Sequence, residues 1–347
     1  MKAAVIREYG KIETEEVKKP SVSENNVLIR VRYASICGSD QHIFKGEFHP
    51  RTKLPLIAGH EFAGIIEETG SKVEDLKPGD KVTVDPIIWC GTCAACREGH
   101  YPACTTLKLV GIDMDGGFGE YVSVPQSMVY KVPGHIPDEH AALVEILSIG
   151  FHAITRAGLE QNDDILIVGS GKVGQSILHA AKTVTKGRIF IADILDRRLS
   201  MASATFHDVH TINIKKTDPV EYIKEITDGR GVDIAFEAVG HFHPVVGKLN
   251  PIRTCINALK GGGKVCVLGL SDQPVEILMK ELIWKEAKII SSRVSHGEFA
   301  RAIEALGSGK LNPGNMITGI LNLDEAQLAF ELLENSPAEN LKILLRI

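Results

Sequence analysis

The stretch Asp164-Ile165-Leu166-Ile167-Val168-Gly169-Ser170-Gly171-Lys172-Val173-Gly174 decides how the chain is read. Four apolar residues bounded by acids and glycines suit a buried strand, and the residues from Gln175 to Lys182 continue at helical spacing. Strand, glycine-rich turn and helix together predict a dinucleotide cradle. Gly169 permits the tight turn, Gly171 lets the backbone approach a pyrophosphate, and Gly174 lets helix and strand pack closely. Lys172 and Val173 open a helix whose N-terminus attracts the anion. The next apolar stretch, Arg188-Ile189-Phe190-Ile191-Ala192, ends at Asp193, where a carboxylate would meet the ribose hydroxyls and repel a 2′-phosphate. NAD is expected over NADP, while Arg197 and Arg198 close by keep the choice open.

Working outward, apolar stretches at 165–168, 189–192, 234–236, 265–268 and 289–290 alternate with helical segments. That rhythm predicts an α/β unit built on a doubly wound parallel sheet. Upstream, alternation at 27–31, an apolar run at 62–66 and the turn Lys77-Pro78-Gly79-Asp80 indicate an irregular β domain. A helix near 298–306 and a last strand at 342–347 break the alternation and are expected to rejoin that first domain. The expected organisation is therefore 1–150, then a nucleotide-binding domain at 151–291, then 292–347 completing the first domain.

The 347 residues suit two such domains. With 39 basic and 44 acidic side chains, the net charge of −5 gives no pull toward polyanions, so neither nucleic acid nor an anionic membrane surface is expected as a partner. No run approaches the roughly 18 apolar residues of a membrane span. The opening Met1-Lys2-Ala3-Ala4-Val5-Ile6-Arg7 reads as a strand and not as a secretory segment, so a reducing, cytoplasmic setting is expected. There, closely spaced cysteines more often bind metal than pair.

Two cysteine patterns stand out. Cys90, Cys93, Cys96 and Cys104, within the lobe 89–105, form C-x2-C-x2-C-x7-C. Four thiolates on one loop match a closed tetrahedral zinc site, whereas an iron–sulfur pattern wants three residues before a fourth Cys followed by Pro. A closed shell leaves no place for substrate, so this metal holds structure. Elsewhere, Cys37-Gly38-Ser39-Asp40-Gln41-His42 and Gly59-His60-Glu61 offer one thiol, one imidazole and one carboxylate. Such a mixed, incomplete set is what catalytic zinc uses, and zinc there would lower the pKa of an alcohol so that hydride can leave toward a nicotinamide. Cys255 and Cys266 fit no metal pattern and read as core.

Taken with Asp115-Gly116-Gly117-Phe118-x-Glu120-Tyr121, these motifs resemble, in order and spacing across essentially the whole chain, the zinc-dependent medium-chain dehydrogenase family. The resemblance implies a GroES-like β domain completed by the C-terminal tail, a Rossmann domain, and an active site in the cleft between them. It implies two zinc ions per chain. Cys37 and His60 would ligate the catalytic zinc, with Glu61 ligating directly or exchanging with water. Asp40 would orient His60. Ser39 would accept the alcohol proton and pass it through the cofactor ribose to His42. A homotetramer or homodimer is also implied.

Glu145 stands where liver-type alcohol dehydrogenases carry a third cysteine ligand, which resembles the sorbitol or polyol branch. There this Glu binds zinc or hydrogen-bonds its water and the substrate. Arg293 similarly sits where polyol dehydrogenases carry an arginine facing the substrate. The expected substrate is a secondary alcohol of a polyol, sugar or sugar acid, oxidised reversibly to the ketone. Threonine dehydrogenases resemble the chain almost as well around His60, and a non-catalytic nucleotide sensor is the alternative from another class. Ile146 replaces the proline common after the glutamate, and no glycine closes the helix before Phe206-His207-Asp208, so a changed helix end is expected there.

Overall fold

The computed structural model describes residues 1–240 and 247–347. The chain divides into two compact units, one formed by Met1–Glu145 with Phe299–Ile347 and the other by Ile146–Glu298. The crossings thus fall at 145/146 and 298/299, not at 150/151 and 291/292.

In the second unit a six-stranded parallel sheet runs, in the unit's own strand numbers, 3-2-1-4-5-6. Its first strand, Ile165–Val168, is buried on both faces, which is why it reads as an unbroken apolar run. Val168 lies opposite Ala192 on one side and Glu237 on the other. The chain winds to one side of Ile165–Val168 and then to the other, so a topological switch point lies between that strand and Val232–Glu237. The strand His210–Asn213 carries no sequence signal, since it is an edge strand with a single buried side chain, Ile212. The helix Asp196–Thr205 ends without a glycine, its chain leaving through an extended Phe206 (φ −134°). That is the changed helix end the sequence suggested.

In the first unit, the strand Asn26–Ser35 is the hub of a seven-stranded sheet. It pairs antiparallel with Glu61–Thr69, with Tyr121–Pro125 and with the last strand, Lys342–Arg346. The C-terminal tail therefore completes the first unit's sheet. No helix among the described residues is long and apolar enough to cross a membrane.

Candidate active site

The hub strand delivers Cys37 to the start of the short helix Gly38–Phe44, where Cys37 takes an extended conformation (φ −87°, ψ 166°) as N-cap. Asp40, fully buried, ties this turn to the histidine segment. Its Oδ2 accepts from the Cys37 backbone N–H at 2.7 Å and its Oδ1 from that of Gly59 at 3.3 Å. The same Oδ1 lies 3.5 Å from His60 Nδ1, so the carboxylate sits on the far side of the ring from Ser39, whose Oγ is 3.4 Å from Nε2. Gly59 has φ +93°, and a Cβ there would lie 2.5 Å from the Phe118 ring. Only glycine allows this turn to present His60.

Ligand atoms of Cys37, His60 and Glu61 all lie within 4.8 Å of one another. One thiol, one imidazole and one carboxylate, largely buried, are a donor set that fits zinc with a position left open. Glu145 lies outside that trio, yet it feels the charges of Glu61, His60 and Cys37. Among these residues the sequence reading missed Lys342, which is completely buried in the last strand. Its Nζ donates to both oxygens of Glu61, at 2.5 Å to Oε1. The signal was a lone lysine in Leu341-Lys342-Ile343-Leu344-Leu345, since a lysine is almost never buried unpaired.

The electrostatics follow from this pairing. Burial raises the Glu61 carboxyl, but the Lys342 ammonium and His60 outweigh it and hold the group below its ordinary range. Burial and the Glu61 charge push the Cys37 thiol up, and His60 with Lys342 more than reverse that. Burial lowers His60, but Asp40 and Cys37 carry it well above the usual imidazole range. Burial, then the charge of Glu61, holds Glu145 well above the carboxylate range. Two neighbouring carboxyls are thus driven apart.

His42, one turn beyond Ser39 on the same helix, is more exposed; its Nδ1 is hydrogen-bonded to Glu47, and its ring stacks on Phe48 at 5.8 Å.

The four cysteines of the lobe also have their sulfurs within 4.8 Å of one another. Backbone N–H groups of Thr92 and Cys93 point at Cys90 Sγ (3.4 and 3.3 Å) and hold that thiol down to about 5. Burial pushes Cys96 up to about 12.

In the second unit, Gly169 adopts φ +99°, and a Cβ on Gly174 would lie 1.8 Å from Gly169 O. At Gly171 a Cβ would meet only the Arg198 guanidinium, at 3.8 Å, so the backbone there is open to a phosphate. Lys172 and Val173 begin the helix Lys172–Lys182. Asp193, at the end of the second strand, accepts the Ser170 N–H (2.7 Å) and the Leu195 N–H (2.9 Å), with Arg198 4.0 Å away. These residues fit the adenosine side of a dinucleotide. Arg293 lies in the loop after the sixth strand, beside Val294 in the left-handed region (φ +48°). Cys255 and Cys266 are both buried in this unit.

Residues 23–134 match the alcohol dehydrogenase GroES-like domain and residues 173–308 the zinc-binding dehydrogenase domain. A sorbitol dehydrogenase from Bacillus subtilis (strain 168) is 34% identical, covering 99% of this chain and 96% of its own. An L-threonine 3-dehydrogenase from Bacillus velezensis is 33% identical over 92% of this chain and 91% of its own. A crystal structure from Escherichia coli CFT073, described as short chain alcohol dehydrogenase rspB complexed with cofactor NADH, has a TM-score of 0.89 and 29% identity, covering 100% of this chain and 99% of its own. The units are accordingly a GroES-like domain and a Rossmann-like parallel sheet. Domain matches in sequence order and a relative aligned over nearly the whole chain make this protein a member of the zinc-dependent medium-chain dehydrogenase family.

Proposed function

We propose that the protein oxidises a secondary alcohol of a polyol, sugar or sugar acid to the ketone, reversibly and with NAD. The observation that carries this reading is the gathering of half-buried Cys37 with buried His60 and Glu61, a donor set that would leave zinc a fourth position for substrate, with buried Glu145 close enough to feel their charges. Bound there, zinc supplies Lewis acidity that acidifies an alcohol, and NAD supplies the hydride acceptor. The rest is the work of the chain's own groups. Asp40 fixes the orientation of the His60 ring, and Lys342 fixes Glu61. The Ser39 hydroxyl, beside His60 Nε2, takes the alcohol proton at Oγ, and His42 receives it nearer to solvent. Glu145 and Arg293 read substrate hydroxyls or a carboxylate. A simple alcohol offers the buried Glu145 no second hydroxyl to bind, which is what rejects it.

Cys90, Cys93, Cys96 and Cys104 hold a second, structural zinc. Gly169, Gly171, Lys172, Val173 and Gly174 carry the pyrophosphate, with Asp193 and Arg198 at the ribose. The acid at 193 favours NAD over NADP. The two units act as catalytic and nucleotide-binding domains, and the protein works in the cytoplasm as a homodimer or homotetramer. Supporting association, Leu270, Met279, Ile283 and Trp284 are each more than 60% exposed, a concentration of apolar surface that self-association would cover.

An amino-alcohol such as threonine is the second reading, favoured by the 33% identical threonine 3-dehydrogenase. The test is a panel of polyols, sugar acids, threonine and simple alcohols with NAD, followed by absorbance of the reduced cofactor, alongside metal analysis expected to give about two zincs per chain. Turnover of threonine alone replaces the polyol reading, and no turnover on any donor overturns the enzymatic one.

A further inference from the structure

Glu237 is a buried carboxylate that neither the metal cluster nor the glycine-rich turn uses. It is the last residue of the strand Val232–Glu237, at the carboxyl end and on the switch-point side of the parallel sheet. Open α/β sheets take their ligands at that place. Its side chain accepts the Val239 N–H at 2.9 Å and is drawn on by the N–H groups of Gly240 and Gly269 as well. Its main-chain oxygen accepts from Leu268 at 2.9 Å and from Gly269 at 3.2 Å. One residue therefore binds the loop after the fourth strand to the loop after the fifth.

The two loops have no slack. A Cβ on Gly269 would lie 2.4 Å from Glu237 Oε2 and 2.3 Å from Gly240 N, and one on Gly240 (φ +70°) would lie 2.7 Å from Leu270 O. On its other side the first loop abuts the cradle: Ala238 N–H donates to Val168 O at 2.9 Å, and a Cβ on Gly169 would lie 2.9 Å from Ala238 O. Burial pushes the Glu237 carboxyl above its ordinary range, opposed by the three backbone N–H groups. An acid kept at such a cost to its charged form has a task beyond filling space.

We propose that Glu237 is a positioning residue for the dinucleotide, pinning Ala238–Gly240 and Gly269–Leu270 as the wall of the crevice that faces the glycine-rich turn. This rests on the cofactor reading above. Glutamine keeps the shape but exchanges one acceptor oxygen for an NH2 that confronts backbone donors. The test compares wild type, Glu237→Gln and Glu237→Asp for NADH affinity by fluorescence titration, KM and kcat, backbone amide exchange of Val239, Gly240 and Gly269, and zinc content. Glu237→Gln is expected to raise the NADH Kd and the KM for NAD on the order of 10-fold, the loss of about one charge-assisted hydrogen bond. Exchange at the three amides should quicken, kcat should fall no more than about threefold, and zinc content should stay as in wild type. Glu237→Asp, which keeps the charge, should recover part of the affinity. An NADH Kd within about twofold of wild type for Glu237→Gln, with the three amides exchanging faster, overturns the proposal. So does weakened binding with unaltered amides. Should Glu237→Gln fail to fold, Glu237→Asp alone decides by the same two measurements. Failure of wild type to bind NADH overturns the cofactor reading itself and is told apart by that control.

Discussion

The lobe of Cys90, Cys93, Cys96 and Cys104 and the cluster of Cys37, His60 and Glu61 lie in the same unit and each gathers donors within 4.8 Å, yet they handle charge in opposite ways. In the lobe, Cys90 is exposed and backbone N–H groups stabilise its thiolate. In the mixed cluster, His60, Glu61 and Lys342 are all buried, and an ammonium balances a carboxylate across 281 residues of chain. At Cys90 local amides stabilise sulfur without partners from distant strands, although Cys96 and Cys104 of the same lobe are buried. A buried mixed set needs partners from distant strands, and so exists only after the unit has folded. Structural and chemical roles should therefore separate cleanly on mutation.

The largest effect is expected from Cys93→Ser. It should remove the lobe's zinc, take metal content from about two to about one per chain, and lower the melting temperature on the order of 10 °C. Cys37→Ser should also lose about one zinc, but the melting temperature should stay within about 3 °C while turnover falls on the order of 10⁴-fold, the several kcal/mol that a Lewis acid contributes. Metal analysis, calorimetry and rate measured on both variants make a cross. If Cys37→Ser retains activity, or Cys93→Ser is the variant that keeps its stability, the contrast between the two clusters is broken.

Lys342→Met sharpens the comparison from the side of the counter-charge. In chelator-treated protein it strands the Glu61 carboxylate in the interior and should cost about 3–5 kcal/mol in urea unfolding, whereas pairing it with Glu61→Gln should recover much of that loss. A cost below about 1 kcal/mol for the single variant would mean that Glu61 has other means of staying charged.

Legibility in the sequence followed the same division. The gathering of the lobe's four cysteines was readable because they are close in sequence. Ile165–Val168 and the turn from Gly169 to Gly174 were readable because strand, turn and helix are contiguous. Lys342 was only half readable: its apolar neighbours signal burial, but its partner Glu61 lies on another strand and no local pattern names it. The strand His210–Asn213 escaped because a polar edge strand carries no period. Residue choice at the cluster of Cys37, His60 and Glu61 was visible, but the separation of Glu145 from it depends on three-dimensional placement.

The smallest effect concerns a charged cluster with no metal role, which sets the baseline for the other two. Asp164 in the second unit accepts from Arg188 at 2.7 Å and from Arg230 at 2.5 Å. Burial raises its carboxyl, but the Arg188 bonds prevail and hold it below the ordinary range. A depressed carboxyl contributes stability above its unfolded pKa of about 3.9 and loses it as pH falls through the lower, folded value. Asp164→Asn should therefore cost about 1–3 kcal/mol near neutral pH, the worth of hydrogen bonds to a charged group. The gap between variant and wild type should then close as the pH drops below about 4. Denaturant melts over that range decide it. A gap that persists in acid would mean that shape, not charge, is what Asp164 supplies, and the buried Glu61–Lys342 pair would then need the same reappraisal.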